Sequence, residues 1–471
     1  MSSPLTTSLK PRMPLPRIVA GLFVCGVAMA QQPVQSAPVS LDQAMQAALK
    51  NYPSLRVSQE QINAATAGIR LARTAYLPRV GAMAQVNRAT RNNVFGTLLP
   101  QSTIPSISGP VIGSNNFGSV WGSAVGGLVS WEPFDFGLRD ANVAVANAAR
   151  AQSEASLKRV QFDVLVTAAD AYLTVVAAQE TTRAAQAGVD RSDAVLKVIA
   201  AQVSAELRPG ADQSRAEAES AAARTQLIQA EQALDVARAN LAQFTGGAPT
   251  TSLIAAGNLL TLPAESGTAS PNTSSNPAVA EQNAAVQQAQ AQLRALERSY
   301  FPKFNLQGAI SARGTGAEVD GARLGGLNGL APNTQNYAVG FTVTFPILDL
   351  PAIRAREAAQ SATIRSQMAK SEQIAVELRA QWNRAVASLN GARRIAANTP
   401  VQLTAARAAV QQATARYQSG LGNITEVADA QRLLTQTEID DSLARLGVWR
   451  GLLAIAAVGG DLQPFIAEAT R

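Results

Sequence analysis

The chain has 471 residues, 47% of them hydrophobic but only 5% aromatic, with 40 lysines and arginines against 33 acids and no histidine. That length suits two or three ordinary domains or one large one. Without histidine, a Ser-His-Asp triad and a His-ligated metal are excluded, and a conventional hydrolase is not expected. No basic block of the kind that tracks nucleic acid is present, so no nucleic-acid partner is expected either.

Residues 1–30 read as a secretory leader, with Lys10, Arg12 and Arg17 as its basic start, Ile18 to Met29 as its apolar core and Ala28-Met29-Ala30 as the cleavage site. The apolar run is short for a transmembrane anchor. The only cysteine, Cys25, lies in the removed segment, and Val24 before it fits a lipoprotein signal poorly. Beyond the leader no stretch offers about 18 consecutive apolar residues, so no spanning helix is expected. A membrane contact would then require a β-barrel.

The mature chain opens with a capping box, Ser40 with Gln43, and Leu41, Ala44, Met45, Ala48, Leu49 and Tyr52 recur on one face of a helix expected over about 41–76. Landmarks then repeat in order. Pro53 opens a helical run that ends at "YLPRV", and Pro277 opens one that ends at "YFPKF". "VSWEPFDFG" (129–137) corresponds to "VTFPILDLP" (343–351), and "LRPGADQSRAEAE" (207–219) to "YQSGLGNITEVADAQ" (417–431). Each half reads helix, strand, loop, strand, very long helix, tight turn, shorter helix. The expected organisation is a leader (1–30), a first repeat (31–247), a linker (248–275), a second repeat (276–460) and a tail (461–471).

The segments after Pro78 and Pro302 alternate with period two. Tyr337, Val339, Phe341, Val343, Phe345 and Ile347 share one face, with Ala338, Gly340, Thr342 and Thr344 on the other. Phe304, Leu306, Gly308 and Ile310 stand opposite Asn305, Gln307 and Ser311; Trp121, Val125, Val129 and Trp131 stand opposite Gly122, Ala124, Gly126 and Ser130. Apolar residues outside and small or polar ones inside, on segments of at least roughly 9–11 residues, is the transmembrane-barrel pattern. A soluble β-sandwich is the alternative, but such long helices would interrupt it. Four strands cannot close a barrel, and open edges are forbidden in lipid, so the chain is expected to oligomerise and share one barrel. Loops near 89–117 and 314–336 suit the extracellular side. Trp121, Trp131, Tyr337, Phe341 and Phe345 read as lipid-facing, either as an aromatic belt or as ordinary lipid packing.

Leu138 to about Ala205 and Ala352 to Ser419 are long helices, each roughly 100 Å at 1.5 Å per residue, with Gly391 and Pro400 expected to bend the second. Helices over about 211–244 and 423–457 return along them, and those over 41–76 and 277–299 stack on to complete the length. The fold class expected is mainly α with a β-barrel part, in which a long α-helical barrel continues into a transmembrane β-barrel, four strands per chain, built by internal duplication.

With "SLDQAMQAALKNYPSL", the duplicated strand pairs and "GLGNITEVADAQ" in hand, the sequence resembles the TolC-like outer membrane efflux protein family over nearly its whole mature length. The resemblance implies a homotrimer with a 12-stranded barrel in the outer membrane and a helical barrel through the periplasm. It implies a passive exit duct that receives cargo from an inner-membrane transporter, of the RND or ABC type, through a periplasmic adaptor protein. It implies no catalysis, no cofactor and no metal. It also implies that the helix tips form the periplasmic entrance. There Gly420 is followed by Glu426 and Asp429 at the family's offsets for an acidic gate ring, a selectivity device by mutual repulsion and cation attraction. Gly210, Gly420, Leu421, Ile424 and Thr425 become the expected adaptor contacts. The sequence departs from the family in three places: Glu426 replaces the usual aspartate, Gly422 stands where some members carry a basic latch, and the first tip has Ala216 at the sixth position. Two readings of Glu426 stand: a gate residue, or the N3 partner of an Asn423 cap. Asp429 lies beyond the capping positions. A secreted, trimeric coiled-coil adhesin or stalk is the other functional class; it accounts for the helices but not for duplicated membrane-length strands.

Overall fold

The computed structural model describes residues 39–90, 118–246, 256–264, 273–318 and 322–470. The chain divides into residues 1–37 and a body of 38–471. The expected leader with Cys25, and the loop after the first strand, lie outside the described residues.

Ser40 caps α1 (Leu41–Asn51) with the full reciprocal box to Gln43. The single helix expected over 41–76 is two: Tyr52 is extended (φ −71°, ψ 123°) because it precedes Pro53, and α2 (Pro53–Thr74) starts afresh. Strands β1 (Arg79–Thr90) and β2 (Ser119–Trp131) follow, then α3 (Leu138–Ser204) and its returning partner α4 (Gly210–Thr245). The second half repeats the series as α5 (Pro277–Arg298), β3 (Lys303–Thr315), β4 (Thr334–Thr344), α6 (Leu350–Gln418) and α7 (Ile424–Gly459). Helix α6 runs unbroken through Gly391 and Pro400. The expected tail contains a further helix, α8 (Gln463–Ala469), whose Phe465 is buried.

The four strands form one antiparallel sheet in the order β1-β2-β3-β4. Its register sets Arg79 opposite Ser130, Ser130 opposite Gln307 and Gln307 opposite Gly340. The helices keep a matching order: α2 and α4 pack on α3, α3 on α5 and α7, and these on α6. Four parallel lanes result, two of them spliced from a short and a returning helix.

Both splices use the same chemistry. The Asn51 amide donates to the Thr245 carbonyl at 2.6 Å, and the Asn276 amide to the Val458 carbonyl at 3.0 Å. In each, proline opens the incoming helix, where its missing N–H costs nothing. In each, a left-handed glycine, Gly246 (φ 70°) or Gly460 (φ 76°), ends the outgoing one. Around these joints lies the main core, where Trp449, Tyr172, Leu173, Met45 and Leu259 are fully buried. Trp449 donates to the Thr261 carbonyl at 3.0 Å, which pins part of the linker. Elsewhere the seams mix alanine, such as Ala216, Ala396 and Ala413, with larger residues such as Ile199, Leu389 and Tyr417.

Helices α3 and α7 each contain an 18-residue window of mean hydropathy 1.4 and 1.3, apolar enough to cross a membrane. The run-based reading missed these because alanine and valine raise an average without forming an unbroken stretch. Both helices are packed against neighbours along the lanes.

A Cβ on residue 460 would lie 2.6 Å from the Asn276 Cα, on top of the left-handed φ. Gly460→Ala should therefore cost more than the ~1–2 kcal/mol of the backbone conformation alone. Asn276→Ala should cost about 1 kcal/mol for the lost hydrogen bond. Thermal unfolding of the purified protein should rank wild type above Asn276→Ala, and that above Gly460→Ala.

Candidate functional site

The far ends of the long helices form two tips. The first, residues 205–209, reverses between α3 and α4, with Glu206 at φ 60° and Leu207 73% exposed. In the second, between α6 and α7, Gly420 takes φ 75°, and the N–H groups of Leu421 and Gly422 both donate to the Arg416 carbonyl, at 2.8 and 3.0 Å. Asn423 caps α7 by accepting from the Glu426 N–H at 2.9 Å.

The tips are joined through Tyr417. Arg208 donates to the Tyr417 carbonyl at 2.6 Å and lays its guanidinium 4.4 Å from the ring centroid, a cation–π geometry. The Tyr417 hydroxyl donates to Asp212 at 3.2 Å. Burial, with the Asp212 carboxylate beside it, pushes the Tyr417 phenol up, so it remains a donor at neutral pH. Ile199, Ala216, Ile424 and Val427 pack around it. Further from the tips, Arg191 binds Glu438 at 2.8 Å and Thr435 at 2.9 Å. Hydrogen bonds from Ser220 and Arg224 hold the Asp193 carboxyl below the usual range.

Both expected gate acids have arginine partners. Glu426 lies 3.4 Å from Arg416, which also donates to the Leu421 carbonyl at 3.1 Å. Asp429 binds Arg432 at 2.8 Å, and Arg432 reaches Glu219 at 3.4 Å. Glu426 thus has its backbone capped by Asn423 while its side chain turns to Arg416. Of the expected adaptor contacts, Gly210, Gly420 and Leu421 are exposed and Thr425 is half-buried. Ile424 is corrected: at 6% exposure it packs inward and is absent from the tip surface. Its place at N1 of α7, followed by Val427 at i+3, was the signal for a buried stripe. Arg208, Asp212 and Tyr417 were missed because their partnership crosses between repeats, which no local pattern records.

At the opposite end, the sheet has two chemically distinct faces. One carries Val80, Val86, Val125, Val129, Ile310, Tyr337, Val339, Phe341 and Val343, all exposed. Of the aromatics on this face, Tyr337 is 86% exposed, Phe341 62% and Trp131 39%. Trp131 donates to the Tyr76 carbonyl at 3.1 Å, and Phe345 stands just past β4. Trp121 is half-buried at the other end of β2, with the Arg88 guanidinium 5.3 Å from its ring. An aromatic cluster of Phe134, Phe136, Phe301 and Phe304 sits where strands meet helices, with centroids 4.6–6.1 Å apart. These rings lie in "EPFDFG" and "YFPKF", read from sequence as repeat landmarks and not as a surface. The other face carries Gln85, Asn87, Gly122, Ala124, Asn305, Gln307, Ser311, Asn336 and Thr342.

A groove of about 600 Å³ opens beside the second splice, lined among others by Arg159, Asp163, Asn276, Lys370 and Glu377. Arg159 also binds Glu281 at 2.7 Å. Among the described residues no acidic or cysteine cluster suited to a metal ion is present.

The family profile described as outer membrane efflux protein matches residues 44–247 and 272–460. The pyoverdine export outer membrane protein OpmQ of Pseudomonas aeruginosa is 26% identical over 433 residues, 90% of this chain and 85% of that protein. The cobalt-zinc-cadmium resistance protein CzcC of Cupriavidus metallidurans is 26% identical over 309 residues, 64% of this chain and 69% of that protein. The Campylobacter jejuni CmeC outer membrane channel shares the fold with a TM-score of 0.72 over 98% of both chains at 13% identity. The open Neisseria gonorrhoeae MtrE channel does so with 0.66 over 90% of both at 19%. A free coiled-coil stalk has no place for the membrane-type sheet. The chain belongs to the outer membrane efflux protein family, whose TolC-like members are channels of the cell outer membrane that extend into the periplasm.

Proposed function

We propose that three copies of this chain form the exit duct of a tripartite efflux or secretion system, a passive conduit gated at its periplasmic tips. One observation carries the reading: the sheet ends at β1 and β4, and the helical layer ends at the α2/α4 lane and at α6. Both layers are open on the same two flanks. In lipid, an unpaired strand edge costs several kcal/mol per exposed group. Pairing β4 of one copy with β1 of the next removes both edges, and three copies give the twelve strands typical of the family.

The tips then surround the entrance. Leu207, Gly210, Gly420, Leu421 and Thr425 offer the surface for a periplasmic adaptor, which links the duct to an inner-membrane transporter of the RND or ABC type. Glu426 and Asp429 line the mouth, each restrained by an arginine. The clasp of Arg208, Tyr417 and Asp212 holds the two tips of one chain together, and its release widens the opening. The repeats at 31–247 and 276–460 supply one tip apiece. The cargoes named for the two relatives, metal ions and pyoverdine, differ in chemistry, so family membership does not choose the solute.

Outer-membrane fractions should contain a heat-sensitive trimer that runs as a monomer after boiling; a soluble monomer would sink the proposal. In planar bilayers, Glu426→Ala with Asp429→Ala should raise single-channel conductance severalfold and weaken block by multivalent cations, and unchanged values would reject the acids' role. Arg208→Ala should raise deuterium uptake over 205–212 and 417–423 together, whereas uptake confined to one tip would show that the clasp does not couple them.

A further inference from the structure

The helical layer leaves one side of α4 and one side of α6 uncovered. Within the chain α6 packs on α5 and α7, and α4 on α1, α3 and α7. The uncovered side of α6 carries Arg394 and Val401, and that of α4 carries Ile228 and Asp235. Each of the four stands two residues from a buried one: Ala396, Thr399, Ala230 and Ala237 respectively. Two residues turn a helix by about 200°, so all four lie opposite the packed stripe. Val401 is 67% exposed and Ile228 62%, large apolar side chains without a neighbour to cover them.

Heights along the two flanks coincide. The hydrogen bond from Tyr417 to Asp212 sets the end of α6 level with the start of α4. Counted back from Gln418, Val401 is 17 residues up α6 and Arg394 is 24. Counted on from Gly210, Ile228 is 18 residues up α4 and Asp235 is 25. A rotation axis parallel to the lanes changes no height, so between neighbouring copies each pair is offset by only about 1.5 Å. Charge is complementary too. From Leu378 to Gln418, α6 contains six arginines and no acid, whereas α4 contains five acids and three arginines. Arg394 is exposed and has no ion pair or hydrogen bond among the described residues. Asp235 meets Arg238 at 3.4 Å, and its side chain stays 72% exposed.

We infer that the α6 flank of one copy seats on the α4 flank of the next, with Val401 against Ile228 and Arg394 paired to Asp235. The inference rests on the three-copy reading above and adds to it. Strand pairing alone would join the copies only at the sheet, whereas this surface joins them about 25–40 Å from the tips. The contact is head to tail, the kind that closes into a ring when the rotation allows. Opposite charges fix its register and its direction, since α6 against α6 would set arginine on arginine. An exposed ion pair contributes little by itself; here the apolar pair two turns away excludes water from the same seam.

Cys25 is the only cysteine, so a Cys25→Ser chain gives a clean background for cross-linking. In it, Ile228→Cys with Val401→Cys should form disulfides between copies on mild oxidation, because facing positions fall within the Cα separation of about 4–7 Å that a disulfide spans. Boiled in detergent without reductant, that protein should run as a covalent trimer. Ile228→Cys with Val376→Cys is the control: Val376 is also exposed on α6, but about 36 Å higher, and this chain should run as a monomer. Arg394→Asp and Asp235→Arg should each lower the temperature at which the trimer dissociates, and the two together should restore it. A monomer from the matched cysteine pair, or equal cross-linking of both pairs, overturns the inference. So does a charge exchange no more stable than the weaker single variant. The exchange tests the same contact if a cysteine pair prevents assembly. Failure of the duct is separate, since the wild-type chain would then yield no trimer at all.

Discussion

Two side-chain amides hold the helical layer to its length. A helix of 67 or 69 residues needs a neighbour for its whole extent, yet the chain supplies neighbours only in pieces. Each join brings a helix C-terminus, with its orphan carbonyls, against a helix N-terminus that also needs satisfying. Asn51 and Asn276 answer both demands, since each stands just before a proline-initiated helix and donates backwards to the carbonyls of the helix it abuts. Asn276 also accepts from the Ala278 N–H at 2.9 Å. With the joins closed, smaller clusters along the lanes, Ile199 with Tyr417 at the tips and Leu389 with Val448 between α6 and α7, complete the packing.

The lanes and the sheet are consequences of one duplication, and much of that was legible in the sequence. Pro53 and Pro277, Pro78 and Pro302 mark helix starts and strand starts because proline's fixed φ and missing donor act locally. The strand faces were legible because a period of two leaves no choice about which residues share a side. What could not be read is whatever depends on neighbours distant in sequence. The order of the lanes, the stacking of Arg208 on Tyr417 and the inward turn of Ile424 are all contacts between elements. The break at Tyr52 was available from Pro53, but the apolar stripe of α1 continued past it. Phe465 lay in a segment whose glycines and proline suggested a tail, and only Trp449 beside it explains the helix.

The tip acids show why a motif and a charge are different things. Their spacing from Gly420 matches a ring of free carboxylates, but an arginine one turn before the loop and another three residues beyond Asp429 are equally part of the sequence. A carboxylate paired with an exposed guanidinium keeps its shape as a hydrogen-bond acceptor while losing much of its long-range field. In this chain the tip carboxylates are therefore held by neighbouring guanidiniums, Glu426 by Arg416 and Asp429 by Arg432, and do not stand free.

One feature of the core bears on how the protein is made. Leu41 and Met45, at the front of the body, share a buried cluster with Leu462, Phe465 and Ala469, nearly its last residues. Helix α1 therefore has no finished surface to rest on until residues 462–469 have been made. A chain stalled or clipped even ten residues early would leave Trp449 and Met45 facing water, which marks it for chaperones and proteases. Helix α8 thus seals the same core that α1 enters, and the body closes only when both are in place.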